Sequence, residues 1–132
     1  MTDAESSFAN RTVLIADDAF FIRHIVKKAI AGLDFKNILE AETGVEILDL
    51  YRTHRPELVL MDIVMREMNG LETLEHLFRE DPDARIIMVS AVDVPEILNE
   101  CIGLGIADFV VKPFRADDLR QAIWNCFHAR GS

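Results

Sequence analysis

The chain has 132 residues, the size of one ordinary domain, and half of them are hydrophobic, which suffices for a core of its own. Lys and Arg number 14 against 23 Asp and Glu, a net charge of −9, which excludes a nonspecific nucleic-acid or anionic-membrane surface and suits a site for a divalent cation. Two cysteines make no disulfide framework, no apolar run approaches the roughly 18 residues of a membrane span, and the start MTDAESSFAN lacks signal-peptide order, so a cytoplasmic protein is expected.

Residues 1–10 show no periodicity and read as a flexible leader. Thr12-Val13-Leu14-Ile15-Ala16 is a short apolar run, a first buried strand, and it ends in Asp17-Asp18. From Ala19 the period changes. Ile22, Ile25, Val26, Ala29, Ile30 and Leu33 form a helical stripe, Arg23, His24, Lys27 and Lys28 take the other face, and Gly32 is the expected terminator. Asn37 to Ala41 is a second strand. Thr43-Gly44-Val45-Glu46 has capping-box spacing, Ile47, Leu48 and Tyr51 face the core, and Arg55-Pro56 closes this second helix.

Leu58-Val59-Leu60-Met61-Asp62 is the clearest strand: four apolar residues run straight into one carboxylate. Asn69-Gly70-Leu71-Glu72 has cap-like spacing before a stripe of Leu71, Leu74, Leu77 and Phe78. A fourth strand, from Arg85, ends at Ser90. Val94, Ile97, Leu98, Cys101 and Ile102 make the next stripe, with Pro95 near its start and Gly103 and Gly105 at its end. Phe109-Val110-Val111 is the last strand and runs into Lys112-Pro113. Leu119, Ala122, Ile123, Cys126 and Phe127 mark the terminal helix, with Trp124 off the stripe. The histidines, His24, His54, His76 and His128, read as surface residues.

Five strand–helix units in alternation predict an α/β fold, a five-stranded parallel sheet with helices on both faces, and the flavodoxin-like order 2-1-3-4-5 suits this length. In that order the strand ends converge at one rim. Asp17 and Asp18, Asp62, Ser90 and Lys112 would all meet where the chain reverses. Three adjacent carboxylates repel one another and call for a cation. Mg²⁺ is the natural one, since it takes a couple of carboxylates, carbonyls and retained waters. A lysine and a hydroxyl beside it suit a phosphoryl group, and a free carboxylate could accept one.

These residues resemble the receiver domain of two-component response regulators. The matching pieces are Ala16-Asp17-Asp18, Met61-Asp62 with Met65, Met68-Asn69-Gly70, Val89-Ser90-Ala91, and Ala107 through Phe114. They assign residues 11–128 to a receiver domain and 129–132 to a tail. "DDAFFIR" and "ADFVVKPF" are similar to stand-alone chemotaxis regulators of the CheY type.

The resemblance implies roles. Asp62 accepts a phosphoryl group from a phosphohistidine of a sensor histidine kinase or phosphotransfer protein. Asp18, Asp62 and the Val64 backbone carbonyl bind Mg²⁺, with Asp17 acting through water. Lys112 pairs with the phosphoryl oxygen, Ser90 moves to hydrogen-bond it, and Phe109 is the switch aromatic. Val64 and Val92 stand where the family tunes phosphoryl lifetime, and their apolar side chains imply slow self-dephosphorylation. The implied protein is a phosphoacceptor that assists its own phosphorylation rather than an enzyme. It would signal through its fourth helix, fifth strand and fifth helix to a partner such as a flagellar motor switch, with a phosphatase as a further partner. No DNA-binding output is expected, since no second domain follows Phe127. Arg66 replaces the family's usual proline, which implies a looser loop and an added charge near the site. Arg115 is a poor cap for the last helix. The alternatives are a receiver cut from a larger regulator, a phosphate sink, or a Mg²⁺-dependent phosphohydrolase. Val64 counts against the last, which needs an acid there.

Overall fold

The structure, a computed structural model, describes residues 8–66 and 68–129. Five strands alternate with five helices: β1 Thr12–Ala16, α1 Phe20–Ile30, β2 Asn37–Ala41, α2 Gly44–His54, β3 Leu58–Met61, α3 Gly70–Glu80, β4 Ile86–Ser90, α4 Pro95–Leu104, β5 Asp108–Val111 and α5 Ala116–Ala129. The strands pair in parallel in the order β2-β1-β3-β4-β5, as the sequence predicts. Among the described residues no helix is long and apolar enough to cross a membrane.

The sheet sorts its side chains by the two-residue period of a strand. Val13, Ile15, Leu58, Leu60 and Ile87 pack on one side with α1 and α5. Leu14, Ala16, Val59, Met61 and Met88 pack on the other with α2, α3 and α4. Central β3 is buried along its whole length. Burying each such side chain is worth about 1.5–3 kcal/mol, which makes β3 the anchor of the sheet.

The helix signals act as read at two starts. The Thr43 side chain accepts from the Glu46 N–H at 3.1 Å, and the Asn69 side chain accepts from the Glu72 N–H at 2.9 Å. α2 stops before Pro56 because Arg55 adopts a left-handed conformation, φ 48°.

Several expectations need correction. Phe8, assigned to the leader, is buried and packs edge-on to Phe127, with Phe35 and Trp124 beside it. Residues 1–7 of that leader, and 130–132 of the tail, lie outside the described residues. Gly32 does not end α1 by itself. The chain leaves through a 3-10 turn, Ala31–Leu33, and the left-handed residue is Asp34, φ 59°. Arg23, placed on the polar face, is buried, while Ile25 from the expected apolar stripe is exposed. The α4 stripe is also shallower than its pattern suggests. Cys101 is buried, but Val94 and Ile102 are exposed. α4 connects β4 to the edge strand β5, and Cys101 is its one buried residue.

Candidate functional site

The site forms where the sheet ladder runs past the ends of β1 and β3. The Asp17 N–H donates to the Ala41 carbonyl at 3.1 Å, and the Asp62 N–H donates to the Ala16 carbonyl at 3.2 Å. Backbone pairing therefore fixes both carboxylates side by side at the carboxyl rim, the ligand-binding edge of open α/β sheets.

Both side chains divide their oxygens in the same way. Asp17 Oδ1 accepts from the Ala19 N–H at 2.9 Å, and Asp62 Oδ1 accepts from the Val64 N–H at 3.3 Å. Each carboxylate thus braces its own loop two residues on. The remaining oxygens take one ammonium between them. Lys112 Nζ donates to Asp17 Oδ2 at 2.6 Å and to Asp62 Oδ2 at 2.8 Å. Asp17 and Asp62 are buried, and the Lys112 side chain is 16% exposed. Burial pulls the Lys112 pKa down, but the hydrogen bonds and charges of the two aspartates outweigh it and hold it above the usual lysine range. Asp18 follows along the loop, half-buried.

The sheet also brings Ser90 to Lys112. The Lys112 N–H donates to the Ser90 carbonyl at 2.9 Å. Ser90 is fully buried, and its hydroxyl accepts from the Val92 N–H at 3.2 Å. Of the sequence-predicted residues, then, Asp17, Asp62 and Lys112 are in direct contact. The Ser90 side chain is turned to its own loop. Phe109 is half-buried against the core side shared by α3 and α4, Val64 is exposed, and Val92 is half-buried.

Two residues escaped the sequence reading. Arg23 Nη1 donates to the Asp17 carbonyl at 2.7 Å and Arg23 Nε to Glu40 Oε1 at 2.8 Å, so this side chain holds the acidic loop from below. Nothing in its helical position signalled this, since its acidic partner Glu40 lies 17 residues away in β2. Gly70 was read as part of a cap, but its larger role is close approach. A Cβ there would lie 2.4 Å from Ile63 Cα and 2.7 Å from the Asp62 carbonyl oxygen. The Gly70 N–H also donates to the Ile63 carbonyl at 2.6 Å. α3 is thereby clamped onto the loop that carries Asp62.

Among the described residues no three His, Cys, Asp or Glu side chains gather as a metal cage. Mg²⁺ does not require one, because it binds through one or two carboxylates and keeps several waters. The donor set here fits that habit: hard carboxylate oxygens, two of them already converging on one positive charge.

The chain matches the response regulator receiver domain family over residues 13–124. It is 40% identical over 111 residues to the chemotaxis protein CheY of Listeria monocytogenes, covering 84% of this chain and 93% of that one. It is 41% identical to CheY of Bacillus subtilis, over 84% of this chain and 92% of the relative. A solved complex of CheX and CheY with BeF3 and Mg²⁺ from Borrelia burgdorferi contains a similar chain, with TM-score 0.85 and 29% identity over 89% of each. With the strand order, the acidic pair and the lysine in place, these likenesses identify the chain as a member of the response regulator receiver domain family, similar to CheY proteins.

Proposed function

We propose that the protein is a signalling phosphoacceptor in which Asp62 takes a phosphoryl group from a phosphohistidine. The observation that carries this reading is the Lys112 ammonium, held 2.8 Å from Asp62 Oδ2 by a second carboxylate, Asp17. In the reaction an Asp62 oxygen attacks phosphorus and the N–P bond breaks. Its electron pair returns to the imidazole, which takes up a proton. The Lys112 ammonium then pairs with a phosphoryl oxygen instead of Asp62 Oδ2. Asp18, Asp62 and the Val64 carbonyl would hold Mg²⁺, with Asp17 acting through water. When bound, the metal would neutralise charge on the phosphoryl oxygens.

The switch follows from the same contacts. The Ser90 hydroxyl leaves its loop bond to Val92 for the new dianion, a charge-assisted bond worth about 1.5–3 kcal/mol against about 0.5–1.5 for the one it leaves. Phe109 then turns toward the vacated space. The readout surface is α4, β5 and α5. Exposed Ile102 and Val111 on those elements, with Val94 just before α4, support it, as does a groove of about 590 Å³ lined by Phe109, Val111, Phe114, Gln121 and Asn125. The partners are a histidine kinase or phosphotransfer protein, a downstream target of the chemotaxis type, and a phosphatase; that a similar chain forms a complex with CheX in Borrelia supports protein partners of this kind. We place this activity in the cytoplasm.

Val64 and Val92 carry no group that orients an attacking water. Self-dephosphorylation is therefore slow, with a half-life well beyond seconds. A half-life of seconds, measured after removal of donor, contradicts this. The phosphorylation itself is tested with acetyl phosphate. Wild type gains one phosphoryl group only when Mg²⁺ is present, and Asp62→Asn gains none. Labelling that survives Asp62→Asn overturns the assignment.

A further inference from the structure

Arg66 stands where the family's usual loop proline is absent, and its side chain does not face the site. Arg66 Nη2 donates to Glu42 Oε1 at 2.9 Å, while Arg23 Nη2 lies 3.6 Å from Glu42 Oε2. Each oxygen of one carboxylate is thus given to a different arginine. The Arg23 guanidinium also holds the Asp17 carbonyl, and its side chain is 7% exposed. The Glu42 backbone is held as well, since its N–H donates to Glu46 Oε1 at 2.7 Å. The backbone of Arg66 adds an isolated parallel bridge to Thr43.

We propose that Arg66 and Glu42 are positioning residues, a strap that ties the loop carrying Asp62 to the loop carrying Asp17 through Arg23. In most surface ion pairs both partners are loose, and the contact is worth little. Here the Glu42 and Arg66 side chains are exposed, and what sets the pair apart is the buried Arg23 beyond it and the Arg66–Thr43 backbone bridge beside it. The strap spans the β2–α2 connection and restrains the segment from Asp62 to Arg66, which proline would otherwise stiffen through its fixed φ. Its relation to phosphorylation rests on the function proposed above. Its effect on the loop does not.

The test uses the full chain without metal or donor. Hydrogen exchange is followed at the amides of Val64, Met65 and Arg66 in wild type, Arg66→Gln, Glu42→Gln, the double variant and Arg66→Lys. Arg66→Gln is expected to speed exchange there by about fivefold, the scale of one lost ion pair. The double variant should be no faster than the single ones, Arg66→Lys should restore most protection at low salt, and thermal midpoints should stay level. Unchanged exchange in Arg66→Gln, or effects that add in the double variant, overturns the strap. Acetyl phosphate labelling is then run on the same proteins. A severalfold slower rate in Arg66→Gln, recovered in Arg66→Lys, is expected. Altered exchange with an unaltered labelling rate overturns the positioning role, and labelling that persists in Asp62→Asn instead overturns the phosphoacceptor reading.

Discussion

Lys112 is the residue on which the electrostatics of the rim turn. It is the cation that two buried carboxylates share, at 2.6 and 2.8 Å. Because its pKa is raised on folding, its contribution to stability is complete below the unfolded lysine value, about 10.4, and is lost as pH rises through the folded one. The stability gap between wild type and Lys112→Met should therefore hold steady through neutral pH and narrow above about pH 10.4. Urea titrations at a series of pH values measure it, and a gap already closing near neutrality contradicts this account. The carboxylates and the lysine were legible in the sequence because each follows an apolar run directly. Arg23 was not. A helical wheel assigns arginine to water, and its burial is made favourable by acceptors distant in sequence, the Asp17 carbonyl just past β1 and Glu40 in β2.

At the level of elements, strands were easier to read than helix faces. β1 and β2 match their predicted bounds: β1 is a run buried almost throughout, which leaves no ambiguity of phase, and the more exposed edge strand β2 is set by its pairing with β1. The α4 stripe misled because periodicity reports an apolar face without saying how much sheet lies beneath it. Gly70 shows the same limit. A turn glycine is visible in sequence, whereas the 2.4 Å approach to Ile63 is a tertiary fact. Gly70→Ala must move α3 or the loop carrying Asp62, at a cost of about 1–3 kcal/mol. The variant should also label more slowly with acetyl phosphate. Labelling and denaturation indistinguishable from wild type would show that the clamp is unimportant.

The molecule as a whole is a sheet that gathers chemistry at one edge and stability in its two apolar layers. Phe8 extends one of those layers beyond the predicted domain start, under Phe127. No pattern in residues 1–10 announced it, since one aromatic has no period. Phe8→Ala should cost about 3–5 kcal/mol, read as a lower urea midpoint with the slope unchanged. A loss under about 0.5 kcal/mol, the scale of a neutral surface substitution, contradicts that placement.

The central claim is that the rim is built to have a phosphoryl group written on Asp62. The most direct measurement locates that group chemically. The protein is incubated with Mg²⁺ and acetyl phosphate, trapped with borohydride, which reduces an aspartyl phosphate to homoserine, and mapped by peptide mass spectrometry. The account predicts homoserine at position 62 alone, and none when Mg²⁺ or donor is omitted. Reduction at Asp17 or Asp18, or a phosphoryl group found on a histidine, would contradict it.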